Sequence, residues 1–264
     1  MSVGDRTSFS YLRGIPIQRR SEAELSVEQL TGRDRLIVAL DVPTVAGALE
    51  VVGELDNVSF FKIGLQLFMT GGLTDLLQAL RHKHVFVDLK VPGDISNTIA
   101  AVVDACVTMN VWFLTLSESM PGPSIAAARA ARDARRSQHP RLLTVPYLSS
   151  LDASDLVGEG SDGRDLNALI LKRARAALTA GCDGIIASGQ AIRLCREAFP
   201  AAVIVSPGIR PSGASTDDHK RSTTPAEAVR AGADYLVVGR PILKDPHPRD
   251  AAARIINEIN TANR

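Results

Sequence analysis

The sequence predicts an α/β fold, a single (β/α)8 barrel of the TIM-barrel class, and three features carry that expectation. Eight short apolar runs recur along the chain, each followed by a stretch with helical spacing. The runs are apolar at nearly every position instead of alternating, which is the pattern of parallel strands covered on both faces. Charged residues and glycines collect at the carboxyl ends of the runs, where such a barrel builds its site. Eight units in about 230 residues suit a closed barrel of ordinary size. An open, doubly wound sheet is the alternative. It calls for Gly-x-Gly-x-x-Gly after the first strand, where this chain has Asp41-Val42-Pro43-Thr44.

The elements follow in order. Residues 1–34 precede the pattern and are expected to form an N-terminal extension to a catalytic domain of residues 35–264. Within the extension, Ser26-Val27-Glu28-Gln29 has capping-box spacing and predicts a short helix. Its Arg6, Arg13, Arg19 and Arg20 could suggest a transit peptide, but Asp5, Glu22, Glu24 and Glu28 argue against that expectation, because such peptides are poor in acids. It is expected to pack on the body or on a partner chain. Leu36-Ile37-Val38-Ala39-Leu40 is the first strand, ending at Asp41, with a helix to about Leu55. Phe60-Phe61-Lys62-Ile63-Gly64 is the second, followed by helical residues to about Leu80. The third starts at Val85 and leads to a helix from Ile95 to Val107. Val111–Leu116 is the fourth, with an Ala/Arg-rich helix over 124–136. Leu142–Leu148 is the fifth, and Pro146 places its end rather than its centre there. A helix over 166–180, strand 184–187, helix 189–199 and strand 203–205 come next. A Gly/Ser-rich loop, helix 225–231, strand 235–239 and helix 249–259 complete the pattern.

Composition narrows the function. Of 264 residues 45% are hydrophobic and 22% charged, as in an ordinary globular enzyme. Lys plus Arg number 30 against 29 Asp plus Glu, a balance that argues against nucleic acid as a partner. Cys106, Cys182 and Cys195 are odd in number and lack Cys-x-x-Cys spacing, so neither a disulfide framework nor a zinc site is expected. A reducing, cytoplasmic compartment follows from that usage. No apolar run reaches the 18 or so residues of a membrane span.

The most telling stretch is Val85-Phe86-Val87-Asp88-Leu89-Lys90-Val91-Pro92-Gly93-Asp94. In a regular strand Asp88 and Lys90, two apart, point to one face. Pro92-Gly93 ends the strand and Asp94 falls where a helix would begin. Two charges on the inward face cost several kcal/mol unless paired, so cores avoid them without a reason. Collecting all strand ends gives Asp41, Lys62, Asp88, Lys90, Asp94, Ser149, Ser150, Pro207-Gly208-Ile209-Arg210 and Gly239-Arg240. No His or Cys lies among them, so no metal-ligand set appears. Neither Ser149 nor Ser150 has an evident base for nucleophilic catalysis. What remains is alternating Lys and Asp, with Gly239-Arg240 at the eighth strand, where barrels often hold a phosphate.

Asp88-Leu89-Lys90 with Asp94-Ile95-Ser96-Asn97-Thr98, together with Phe61-Lys62-Ile63-Gly64, Val205-Ser206-Pro207-Gly208-Ile209-Arg210-Pro211 and Tyr235-Leu236-Val237-Val238-Gly239-Arg240-Pro241, resembles orotidine 5'-phosphate decarboxylase. The motifs run in that family's order from about Leu36 to Ile259. The resemblance implies a (β/α)8 homodimer that decarboxylates orotidine 5'-monophosphate to uridine 5'-monophosphate with no cofactor and no metal, in pyrimidine synthesis. Carried over residue by residue, it implies that Lys62, Asp88, Lys90 and Asp94 form the catalytic charge network. Asp94 and Thr98 would reach into the neighbouring subunit's site. Asp41 would hold a ribose hydroxyl, Ser150 the pyrimidine, and Gly239 and Arg240 the phosphate. Pro207 and Arg210 belong to the substrate-binding set, and the segment from Arg210 to about Ser222 matches a lid.

Three departures mark a divergent member. The family spaces its motif Asp-x-Lys-x-x-Asp, whereas Val91-Pro92-Gly93 puts three residues between Lys90 and Asp94. His219 stands where the family's lid carries Gln. Ser117-Glu118-Ser119 stands where the fourth strand usually leads into a His-bearing turn. Two alternatives stay open: a nucleotide-binding homologue with impaired turnover, and a Mg²⁺-dependent enzyme like the hexulose-phosphate synthases and ketogulonate-phosphate decarboxylases. The latter typically carry Glu where this chain has Lys62.

Overall fold

Eight parallel strands close on themselves in sequence order, each hydrogen-bonded to the next and the last to the first. The computed structural model describes residues 29–150, 165–211 and 223–262. The strands are β1 (Leu36–Ala39), β2 (Phe60–Gly64), β3 (His84–Val91), β4 (Phe113–Leu116), β5 (Arg141–Thr144), β6 (Gly184–Ile186), β7 (Val203–Ser206) and β8 (Tyr235–Val238). The helices are α1 (Gly32–Arg35), α2 (Val45–Glu54), α3 (Leu65–Met69), α4 (Leu73–Ala79), α5 (Ser96–Thr108) and α6 (Gly122–Ala134). After them come α7 (Leu166–Ala180), α8 (Gln190–Ala198), α9 (Pro225–Arg230), α10 (Arg240–Leu243) and α11 (Pro248–Ala262). The (β/α)8 barrel expected from the eight apolar runs is the observed fold.

The near-continuous apolar strands are explained by two cores, one on each side of the sheet. Successive side chains point to opposite faces. Ile37, Phe60, Phe86, Phe113, Leu143, Val205 and Tyr235 fill the barrel. Their neighbours Leu36, Val38, Phe61, Val85 and Val87 pack outward against the helices. Inside, the Phe113 ring lies 5.2 Å from Phe60 and 5.1 Å from Tyr235, the latter edge-on. Burying each such ring stabilises the fold by about 1.5–3 kcal/mol. At the amino-terminal ends of β3, β4 and β5, His84, Trp112 and His139 stack with 3.8 Å between successive rings. Aromatic packing thus plugs one end of the barrel and leaves the carboxyl ends of the strands to form a cavity.

Local chemistry sets the helix ends. Thr44, Asp165 and Thr224 cap α2, α7 and α9 by accepting backbone N–H bonds. The helical residues expected to about Leu80 form two helices, because Gly71 and Gly72 take positive φ (81° and 72°) between α3 and α4. A capping box does precede the first strand, but it joins Thr31 and Asp34 in α1. Of the box expected at Ser26–Gln29, residues 26–28 lie outside the described residues. The α1 turn is tied to the closing helix, with the Gly32 N–H donating to Asn260 Oδ1 at 2.7 Å.

Candidate active site

The ends of β1, β2 and β3 place four charged side chains in a row. Lys62 Nζ lies 3.0 Å from Asp41 Oδ1 and 3.8 Å from Asp88 Oδ2, and Lys90 Nζ lies 2.9 Å from Asp88 Oδ1. The order is Asp41–Lys62–Asp88–Lys90, with signs alternating. Burial differs along the row. The Lys62 and Asp88 side chains are only 10% and 17% exposed, while Asp41 and Lys90 face the opening. Each inner charge is therefore compensated by one on either side, which is the condition for burying it at all. Gly64 makes room for the row. A Cβ there would come 3.1 Å from Lys62 Nζ and 3.2 Å from Asp41 Oδ1.

Burial pushes the Asp88 carboxyl up, but Lys62, Lys90 and the hydrogen bonds from Lys90 and Thr115 outweigh it, leaving Asp88 below the usual carboxylate value. A carboxyl depressed on folding adds stability above its unfolded value and loses it as pH falls through the folded one. Wild type should therefore lose melting temperature on acidification below about pH 3.9 more steeply than Asp88→Asn. Parallel acid melting curves would remove that stabilising role from Asp88.

Asp88 and Lys90 do share a face, but not through the regular pleat that their spacing suggests. Pairing of β3 with β4 runs Val87 to Leu114 and resumes at Val91 to Leu116, so residues 88–90 stand opposite Thr115 alone. This bulge turns Lys90 to φ +50°, a left-handed conformation that costs an L residue roughly 1–2 kcal/mol. The buried Thr115 hydroxyl sits in the gap, accepting the Lys90 N–H at 3.0 Å and donating to Asp88 Oδ1 at 2.9 Å. Sequence reasoning missed Thr115. Its signal was a lone hydroxyl in an otherwise apolar run, Val111–Leu116.

The row lines a cavity of ≈ 200 Å³. Its other walls are Phe86, Val145, Ile186 and Val237, with Ser149 on one side and Pro207, Gly208, Arg210, Gly239 and Arg240 on another. Arg210 is buried and donates to the Ile209 carbonyl at 2.8 Å. Its backbone N–H donates to the Thr223 carbonyl at 2.9 Å, which joins the residues flanking 212–222. Gly239 precedes the short α10, so Arg240 is the first residue of that helix.

Of the residues singled out from sequence, Asp41, Lys62, Asp88, Lys90, Pro207, Arg210, Gly239 and Arg240 meet in this cavity. Asp94 and Thr98 do not: both are exposed on the connection and first turn after β3. Asp94 does not start the helix either. Ile95 is the N-cap of α5, and the Asp94 carboxylate accepts the Ile95 N–H at 2.6 Å. Its carbonyl is held by Ser124 Oγ at 2.8 Å, and Gly93 lies so close to Pro121 that a Cβ would clash. The Pro92-Gly93 bend thus packs against the next connection and carries Asp94 away from its own site. Ser150 is exposed, and its neighbour Ser149 lines the cavity instead. His219 and the rest of the lid segment after Pro211 lie outside the described residues.

Among the described residues no three His, Cys, Asp or Glu side chains converge as a metal site would require. The three cysteines are buried and unpaired, and burial pushes the Cys106 and Cys182 thiols up to about 12. No helix among the described residues is long and apolar enough to cross a membrane.

Comparison with known proteins agrees with this fold. A crystal structure of orotidine 5'-phosphate decarboxylase from Lactobacillus acidophilus superposes with a TM-score of 0.73 at 29% identity, over 85% of this chain and 98% of that one. An uncharacterized conserved protein from Geobacillus kaustophilus shares the fold, with a TM-score of 0.72 at 24% identity, over 85% of this chain and all of that one. The model of the Orotidine 5'-phosphate decarboxylase / HUMPS family matches residues 34–255, most of the chain and the whole barrel except the end of α11. On that match, carried by a closed barrel with its charged row at the strand ends, the chain belongs to this decarboxylase-type family.

Proposed function

We propose that this protein decarboxylates orotidine 5'-monophosphate to uridine 5'-monophosphate, as a step of pyrimidine synthesis, with no metal and no organic cofactor. The observation that carries the proposal is the Asp41–Lys62–Asp88–Lys90 row, which opens into the same cavity as Arg240. Loss of CO₂ breaks the C6–carboxyl bond and leaves the electron pair on C6 of the pyrimidine, where no ring position delocalises it. Catalysis then falls to fixed charges. The Lys90 ammonium stabilises the developing carbanion, delivers its proton to C6, and is reprotonated from solvent. Asp88, ionised between two lysines, faces the substrate carboxylate and favours its departure. Lys62 holds Asp88 and Asp41 in place, and Asp41 accepts a ribose hydroxyl. Arg240 pairs with the phosphate, and that remote binding energy is available for closing a lid over the reacting carbon.

The family also contains Mg²⁺-dependent reactions on sugar phosphates, and this site does not fit a divalent cation. Lys62 Nζ occupies the space between Asp41 and Asp88, so a positive charge already stands where these two carboxylates would have to hold the metal. A second reading, a nucleotide-binding protein without turnover, is favoured by one feature, the additional residue between Lys90 and Asp94. Uridine monophosphate binding does not separate it from the enzyme. Release of labelled CO₂ from the C6 carboxyl of orotidine monophosphate does: release supports the enzyme, and tight binding without release supports the alternative.

The site is completed, on this proposal, by a second copy of the chain. Asp94 and Thr98 are exposed, and the exposed apolar residues Leu65, Phe68, Met69 and Ile95 lie on the connections after β2 and β3. A homodimer would cover these side chains and bring each Asp94 to the partner's Lys90. An equal mixture of Lys90→Ala and Asp94→Ala protein, each inactive alone, should then regain about a quarter of wild-type activity, since half the dimers carry one intact site. No recovery after subunit exchange would mean that the sites are not shared. The buried thiols of Cys106, Cys182 and Cys195 are compatible with a cytoplasmic setting.

A further inference from the structure

We propose that Thr115 is a positioning residue, whose hydroxyl holds the Lys90 backbone and the Asp88 carboxylate in register and so fixes where the Lys90 ammonium stands. The inference rests on the role proposed above for Lys90 and extends it to a residue of a neighbouring strand. Three residues of β3 face one of β4 at this point, so the ladder has no backbone acceptor for the Lys90 N–H. The Thr115 oxygen takes that place at 3.0 Å. Its single hydroxyl proton goes to Asp88 Oδ1 at 2.9 Å, the oxygen that also receives the Lys90 ammonium at 2.9 Å. A closed circuit results, from the Lys90 backbone through Thr115 and Asp88 to the Lys90 side chain. It holds a left-handed, non-glycine residue whose conformation is not self-sustaining. Thr115 is fully buried, so its hydroxyl is shielded from solvent.

The chemistry makes the role separable from packing. Valine matches the shape of threonine and removes both bonds, whereas serine keeps the hydroxyl and removes the methyl group. Wild type, Thr115→Val and Thr115→Ser are compared in two assays. The first needs no substrate: the Asp88 carboxyl is titrated by NMR in protein carrying ¹³C-labelled aspartate. Its midpoint should rise in Thr115→Val, which has lost a donor to the ionised form, and return toward wild type in Thr115→Ser. The second is turnover of orotidine monophosphate. There kcat should fall roughly ten- to hundredfold in Thr115→Val, the range for a lost bond to a charged group, with little change in KM and substantial recovery in Thr115→Ser. An unchanged midpoint and kcat in Thr115→Val would overturn the proposal. So would equal losses in the valine and serine variants, which would assign the residue to packing alone. Should wild type fail to turn over the nucleotide, the substrate assignment falls while the titration still judges Thr115. Should the valine variant not fold, Thr115→Ala against Thr115→Ser puts the same question in smaller side chains.

Discussion

Lys90→Ala should abolish turnover of orotidine monophosphate while leaving the product, uridine monophosphate, bound with an affinity within a few-fold of wild type. Lys90 is placed at the mouth of the charged row, 2.9 Å from Asp88 and turned into the cavity by the bulge in β3. It supplies both the positive charge beside C6 and the proton that replaces CO₂. General acid catalysis contributes about 10²–10⁴-fold and a fixed charge at a developing anion about 10²–10³. Their joint loss should cost kcat/KM about 10⁴-fold or more, since one group carries both effects. Product carries neither the carboxylate nor the carbanion, so calorimetric titration with uridine monophosphate should change little. Near-normal turnover in Lys90→Ala would take the proton-donor role from this residue.

Arg240→Ala should weaken phosphate-bearing ligands far more than the free nucleoside. Arg240 opens α10 directly after Gly239 at the end of β8, and both line the cavity. Charge-assisted bonds of a guanidinium to phosphate are worth about 1.5–3 kcal/mol, so the dissociation constant for uridine monophosphate should rise roughly ten- to hundredfold. Uridine, without the phosphate, should bind the variant and wild type alike. Paired titrations measure the difference. An equal loss for both ligands would remove the phosphate role from Arg240.

Much of the barrel was legible because eight apolar runs carry a period and a direction that few other folds can use. The strand-end residues of β1, β2, β7 and β8 followed from the same pattern, since a barrel projects strand termini into one cavity whatever their identity. What escaped the sequence is local. The spacing of Asp88 and Lys90 suggested a flat strand, and only the pairing with β4 shows the bulge and the left-handed Lys90. Thr115 was hidden for the same reason: its partners are 25 and 27 residues away in the chain. The position of Asp94 was ambiguous because Pro92-Gly93 permits several bends, and packing of Gly93 on Pro121 selects one. Ser149 and Ser150 are adjacent, and no periodicity tells which of them turns inward after Pro146.

The central claim is that fixed charges, and no bound metal, remove the carboxyl group. Its most direct test is the initial rate of CO₂ release from orotidine monophosphate after exhaustive treatment with chelator, measured with and without added Mg²⁺. The alternating row predicts a full rate in chelator and no increase when Mg²⁺ is restored. Activity that disappears with the chelator and returns with the metal would contradict it.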